Sequence, residues 1–322
     1  MTTHNTILIT GGAGFIGSHV AETLIGSGKN VILLDNFSSG RQSNVDIHNP
    51  SRVEVINRSI LDCTTLDGVL ARVDGVVHLA AQVSPPVSIQ EPRYSMQQNI
   101  ESYIYLLEAV KNVNPSLPLV YASSAAINGD QDGKVCNEDA AVSPPMPTSH
   151  YGLEKWNLEH YSALYNRLYG MNATGLRFFN VFGERQDPSS QYSGVISKFM
   201  DAATKDGNIK IFGDGQQTRD FIYVKDVARA IVNALSHQQG AHVYNVATGT
   251  SITLIDLYKE IEQIYGVTFN VDFNPPRLGD IVLSIATNDK GLNAGILPSD
   301  FVTIAQGLSN IKAYSPRALE TV

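Results

Sequence analysis

The chain has 322 residues, of which 43% are hydrophobic, 17% charged and 8% aromatic. At roughly 150 residues per domain this is about two domains, enough for a dry core without disulfide or metal staples. With 23 Lys and Arg against 31 Asp and Glu, the net charge is −8, the wrong sign for coating a polyanion, so no nucleic-acid partner is expected.

In chain order, Thr6–Thr10 (TILIT) reads as a strand, a glycine-rich turn follows, and Phe15–Gly26 reads as a helix. Val31–Leu34 is a second strand that ends on Asp35. Val53–Ile56, Gly75–Leu79, Leu117–Ala122 and Ala173–Phe178 are further β-branched or apolar runs. Helical patterns lie between them at Leu66–Ala71, Arg93–Asn112 and Tyr151–Tyr169; in the second, Ile100, Ile104, Leu107 and Val110 recur at helical spacing. Strands alternating with helices indicate an α/β fold, a doubly wound parallel sheet of Rossmann type over residues 1–179.

Beyond Asn180 this rhythm breaks. Asp187–Ser193 is loop-like, Lys210–Asp220 (KIFGDGQQTRD) has turn chemistry, and Asn274–Asp280 reads as a rigid loop. Helical patterns at Val224–Ser236 and Thr253–Tyr265 flank a strand-like His242–Val246. The expectation is a smaller, irregular α/β substrate lobe over residues 180–322, with a stretch at about 209–248 returning to the first lobe.

Cys63 and Cys136 form no CxxC pair, and the eight histidines show no HExxH spacing, so neither a disulfide framework nor a metal is expected. The N-terminus lacks a basic leader, and no apolar run reaches about 18 residues. A soluble, cytoplasmic protein without membrane contact is expected.

The turn Thr10-Gly11-Gly12-Ala13-Gly14-Phe15-Ile16-Gly17 joins the first strand to the first helix. Glycine permits positive φ and removes the Cβ where a pyrophosphate must approach the backbone, and the helix N-terminus offers free N–H groups and a positive dipole end. Asp35 closes the next strand eighteen residues beyond Gly17, where a carboxylate accepts both ribose hydroxyls of an adenosine. Asn36 follows in place of a base that would pair a 2′-phosphate, which favours NAD over NADP.

Tyr151 and Lys155 lie at i and i+4 of a helix, on one face. A phenol has an ordinary pKa of about 10; a neighbouring ammonium and a positive nicotinamide favour its anion, and about 3 pH units of lowering correspond to roughly 4 kcal/mol. Ser123 and Ser124 follow a strand, so their hydroxyls emerge at the carboxyl edge of the sheet, where ligands of open α/β sheets bind.

These residues resemble the extended short-chain dehydrogenase/reductase family, specifically its nucleotide-sugar 4-epimerases of the UDP-galactose and UDP-N-acetylglucosamine type. The similarity runs through TGGAGFIGSH (Thr10–His19), DNFSSG (Asp35–Gly40), HLAA (His78–Ala81), SSAA (Ser123–Ala126), YGLEK, RFFNVFG (Arg177–Gly183), TRDFIYVKDVARA (Thr218–Ala230) and PRLGDI (Pro276–Ile281). It implies Tyr151 as base, Lys155 on the nicotinamide ribose and Ser124 on the sugar 4-hydroxyl. It also implies NAD contacts from Gly11, Gly14, Phe15, Ile16, Gly17, Asp35, Asn36, Ser39, Gly40, Ile60, Leu79, Ala80, Ala81, Asn99, Ser123 and Phe178. For the UDP-sugar it implies Ser84, Asn180, Val195, Arg219, Arg277, Asp280 and Ser284, the last as a small residue that admits an N-acetyl group at sugar C2.

The implied reaction oxidises C4 transiently, turns the keto sugar over and reduces its other face, in a homodimer built on Arg93–Asn112 and Tyr151–Tyr169. Related dehydratases and decarboxylases carry an acid just after the catalytic hydroxyl; here Ala125 and Ala126 stand there, which favours epimerisation. UDP-glucuronate epimerases, decarboxylases, 4-keto reductases and a non-enzymatic NAD-binding protein are the alternatives. This chain departs from its relatives at Ser59, Asn128 and Asn293–Ile296.

Overall fold

The computed structural model describes residues 6–139, 141–187, 194–236, 240–276 and 281–314, the side chains of 63–65 aside. The first half runs β1 (Thr6–Thr10), α1 (Phe15–Gly26), β2 (Asn30–Asp35), α2 (Ser43–Asp46), β3 (Val53–Asn57), α3 (Cys63–Leu70) and β4 (Gly75–His78). Then come α4 (Pro85–Gln90), α5 (Pro92–Met96), a π-helical turn (Gln97–Glu101), α6 (Ser102–Val113), β5 (Leu119–Ser124), α7 (His150–Tyr169) and β6 (Ala173–Phe178). The remainder is β7 (Asn180–Phe182), α8 (Val195–Ala203), β8 (Asn208–Phe212), β9 (Thr218–Arg219), β10 (Phe221–Tyr223), α9 (Val224–Leu235) and β11 (Ala241–Val246). It closes with β12 (Ile252–Thr253), α10 (Leu254–Tyr265), β13 (Asn270–Asn274), β14 (Leu283–Ser284), α11 (Asp289–Asn293) and α12 (Ile304–Ala313).

Seven parallel strands form the main sheet in the order β11-β6-β5-β4-β1-β2-β3. Its central strands β1, β2, β4 and β5 are apolar on both faces because both are covered, as parallel sheets require. On one face Ile9, Leu33 and Val77 pack with Val20 and Leu24 of α1 and Val227 and Ile231 of α9. On the other, Leu8, Val76 and Leu119 pack with Leu70 of α3, Tyr103 and Leu107 of α6, and Leu158 of α7. The connections run outward in opposite directions from β1 and β4, so a crevice opens at their carboxyl ends. The glycine turn emerges there. A third core, with Phe182, Phe199, Ile211, Tyr223, Leu257 and Leu308, supports three small sheets (β10-β7, β12-β9-β14 and β13-β8).

Three elements differ from expectation. Strand β5 runs two residues further, because Ser123 and Ser124 remain in register with Arg177 and Phe178 of β6. The single helix expected over Arg93–Asn112 is interrupted by the π-helical turn, where Asn99 bonds both the N–H and the C=O of Gln82. Within Lys210–Asp220, β8 and β9 form despite the turn chemistry; β8 is held along its length by β13. Among the described residues, no helix is long and apolar enough to cross a membrane, and no group of three or more His, Cys, Asp or Glu could hold a metal.

Candidate active site

The glycine turn is closed by backbone. Gly11 has φ +71°, and a Cβ there would lie 2.8 Å from Ala80 N, so Leu79 and Ala80 form the opposite wall, with Ala81 next in the chain. A Cβ on Gly17 would collide with the Gly11 carbonyl. Gly14 is the N-cap of α1 and supplies no side-chain cap, so no side chain takes up that helix's leading N–H groups. Phe15 and Ile16 begin the helix, half-buried.

Asp35, buried at the end of β2, accepts from Ala13 N at 2.9 Å and from Phe37 N at 2.8 Å, one bond on each oxygen. A carboxylate has about four acceptor sites. Gly40 sits so close that a Cβ would lie 2.9 Å from the carboxylate, while Asn36 and Ser39 are exposed beside it. Ile60 is buried at the rim, and the Ser59 hydroxyl accepts from Leu61 N at 3.2 Å.

Helix α7 starts where Ser149 accepts from Gly152 N, and ends at Gly170 with φ +70°, a left-handed cap. Its buried side is polar, with Glu154, Lys155, Glu159 and Ser162 all covered. Lys155 donates to the Ala122 carbonyl at 2.8 Å, and its Nζ lies 5.8 Å from the centre of the Tyr151 ring. Burial pushes the Lys155 ammonium down to about 8.

The phenol lies in a covered position of the chain without cofactor. Burial raises the Tyr151 pKa above its ordinary value, the hydrogen bond with Ser124 pulls it down, and the charge of Glu154 pushes it up. Ser124 Oγ accepts from Ala126 N at 3.1 Å and caps the short turn that follows β5. Ser123 points elsewhere, donating at 2.5 Å to Glu159, which is paired with Arg177 at 2.9 and 2.8 Å.

The loop after β4 is tied to this helix. Gln82 N donates to Asn99 Oδ1 at 2.8 Å, Asn99 Nδ2 donates to Glu154 at 2.6 Å, and Tyr151 N donates to Ser88 Oγ at 3.0 Å. Ser84 is buried as the N-cap of α4, accepting from Val87 N at 3.1 Å. His78 is buried at the end of β4 against the Thr10 hydroxyl at 2.8 Å, and burial lowers its pKa to about 3.

The model of the NAD dependent epimerase/dehydratase family matches residues 7–247. The chain is 33% identical over 306 residues to a UDP-glucose 4-epimerase of Mycolicibacterium smegmatis, covering 94% of this chain and 96% of that one. It superposes on the UDP-N-acetylglucosamine 4-epimerase of Methanobrevibacter ruminantium, solved with UDP-N-acetylmuramic acid, with a TM-score of 0.89, 34% identity and 97% of each chain covered. For the UDP-glucose 4-epimerase of Thermotoga maritima with UDP-glucose, the TM-score is 0.88 at 34% identity, covering 96% of this chain and 98% of that one. The chain belongs to the NAD dependent epimerase/dehydratase family.

The cofactor that defines this family fits the residues present. A pyrophosphate needs backbone approach without Cβ atoms and a helix N-terminus without a side-chain cap, and the turn has both. In the second half of the chain, a cavity of about 630 Å³ is lined by Asn180, Val195 and Arg219 among others. Asn180 donates to the Asp220 carbonyl at 2.9 Å and to Ser284 Oγ at 3.4 Å. Arg219 donates to the Thr218 and Ile281 carbonyls at 2.8 and 2.7 Å. Phe178, half-buried, ends β6 beside Ser124. Arg277 and Asp280 lie outside the described residues.

Sequence reasoning missed Lys198, Lys210, Phe212 and Gln217, which line the same cavity. The alternation in Lys210-Ile211-Phe212, with Ile211 buried, was the available signal. It also missed Gln82, Ser88, Ser95 and Glu154, whose roles depend on contacts far apart in the chain.

Proposed function

We propose that the chain is an NAD-dependent isomerase that interconverts the C4 epimers of UDP-hexoses, UDP-glucose and UDP-galactose first. The observation that carries this reading is a Ser124–Tyr151–Lys155 constellation beside the glycine turn, followed by Ala125 and Ala126 with no acid for elimination.

When bound, NAD supplies the acceptor that takes hydrogen from the sugar carbon and returns it. Asp35 would hold the adenosine ribose, the backbone of Gly11–Gly17 the pyrophosphate, and Lys155 the nicotinamide ribose. Tyr151 takes the proton of the 4-hydroxyl and gives it back. Ser124, already hydrogen-bonded to the phenol, orients that hydroxyl. Burial pushes the Tyr151 pKa up, and positive charge brought by the cofactor acts in the opposite direction.

Asn180 and Arg219, with Arg277 and Asp280, would hold the nucleotide diphosphate, so that the sugar can turn while the rest stays fixed. Residues 1–179, with a later stretch at about 209–248 returning to them, then serve the cofactor and the rest of 180–322 the substrate. We place the reaction in the cytoplasm as a homodimer. Its interface would be α5–α6 with α7, which expose Tyr94, Met96, Tyr105, Leu153 and Leu168. Light scattering on Tyr105→Glu should give a monomer where the parent gives a dimer.

The test is incubation with a panel of UDP-sugars and no added reductant, products read by NMR. Epimers should reach equilibrium, and Tyr151→Phe should abolish turnover while retaining NAD. Stoichiometric consumption of NADH, or release of CO₂, would replace this reading with a reductase or a decarboxylase.

A further inference from the structure

Glu154 is a buried carboxylate, 4% exposed, on the turn of α7 that also carries Tyr151 and Lys155. It lies three residues beyond Tyr151, one turn along the same helix, and immediately before Lys155. One of its oxygens accepts from Ser95 Oγ at 2.7 Å and from Asn99 Nδ2 at 2.6 Å. Asn99 in turn holds Gln82 by both its N–H and its C=O. The carboxylate thus links the catalytic helix to α5, to the π-helical turn and to the loop that walls the glycine turn.

The surroundings make its charge count. Its donors, Ser95 of α5 and Asn99 of the π-helical turn, are neutral, and Gln82 of the loop accepts from Ser95 Oγ at 3.3 Å. Lys155 and Tyr151 are its titratable neighbours on α7. His78 of β4 senses the charge of Lys155. Further along α7, Glu159 is neutralised by Arg177 of β6. Among the described residues Glu154 forms no ion pair, and in a water-poor setting such an anion acts on whatever titrates nearby.

We propose that Glu154 is a positioning residue: its buried carboxylate fixes α7, on the turn that carries Tyr151 and Lys155, against α5, the π-helical turn and the loop after β4, and thereby tunes the pH window of the site. This rests on the epimerase reading for its consequence in turnover, but the titration itself does not. The direction at each group agrees, since the charge of Glu154 raises both the phenol and the ammonium.

The sign follows. Turnover needs the phenolate, so activity rises with pH through the Tyr151 ionisation; it needs the ammonium, so activity falls as Lys155 loses its proton. Removing the negative charge lowers both values, so both limbs move toward acid. A helix anchor without electrostatic effect would lower kcat and leave the limbs in place.

The test is Glu154→Gln, whose amide oxygen can still accept from Ser95 and Asn99. The kcat/KM profile should shift by about one pH unit toward acid on both limbs. Independently of activity, ultraviolet difference titration of the phenolate, with the matching Tyr151→Phe protein subtracted to remove the other tyrosines, should shift the same way in the cofactor-free chain. Glu154→Ser, with room for water to bridge the same donors, carries the test should the amide variant fail to fold. A Tyr151 titration unmoved in the folded uncharged variant overturns the proposal. If the phenolate titration moves while no sugar is epimerised, the epimerase reading falls and this one stands.

Discussion

The glycine turn and the cavity beside Arg219 solve the problem of holding a charged ligand in opposite ways. The turn sits on the carboxyl edge of a seven-stranded sheet, and its shape is set by backbone against backbone, as where Gly11 meets Ala80 and Gly17 meets Gly11. The cavity is lined from strands of two to five residues, and its polar groups are oriented by hydrogen bonds between segments far apart, as where Asn180 reaches Ser284. Backbone contact leaves no room for adjustment. Side-chain hydrogen bonds can be remade, so specificity can change there without disturbing the sheet.

Four substitutions test this contrast, beginning with the severest. Gly17→Val puts a branched side chain against the Gly11 carbonyl and should abolish NAD retention, read from the absorbance and fluorescence of the purified protein. A variant that still holds NAD would show that the turn has slack. Glu159→Ala strands Arg177, 5% exposed, as an unpaired buried cation and should cost about 3–5 kcal/mol in urea unfolding. A loss confined to activity would mean that the sheet edge is softer than its packing implies.

The third concerns acid. His78 is lowered to about 3 by burial, while an unfolded histidine titrates near 6.5. Between these values the unfolded chain binds a proton that the native chain refuses, so stability falls as pH drops through that window and is retained above it. At pH 5 the His78 share is about 2 kcal/mol, and urea unfolding of His78→Gln should lose that much less between pH 7.5 and pH 5. The mildest is Ser284→Tyr. It should suppress UDP-N-acetylglucosamine turnover selectively and leave NAD binding and UDP-glucose turnover close to the parent's, in competition assays read by NMR. Equal loss on both pairs would remove Ser284 as a gate.

Legibility divides along the same line. The glycine turn, Asp35 and the Tyr151/Lys155 pair are local in sequence, and their spacing translates directly into a strand, a turn and one helical face. Asn99 and Glu154, 55 residues apart, meet only because α7 packs on the π-helical turn, and no periodicity signals that. The end of β5 was misplaced because its last two residues are strand by pairing with β6, not by composition. The small sheets of the second half are too short for alternation to register, and β8 was hidden by the Gly and Asp that follow it. The upward push on the phenol was invisible for a further reason: sequence shows that Lys155 is near, but not how deeply Tyr151 is buried.

Strand β11 has a consequence for how this molecule can be handled. It pairs along all of β6, and α9 just before it covers α1, yet both are encoded after the chain has visited the second core. A fragment cut after β6 would bare a parallel strand edge and an oily helix surface at once, a template for clumping. The two halves therefore cannot be produced apart and mixed. Any exchange of specificity modules with a relative has to leave α9 and β11 with their original sheet and splice on either side of them.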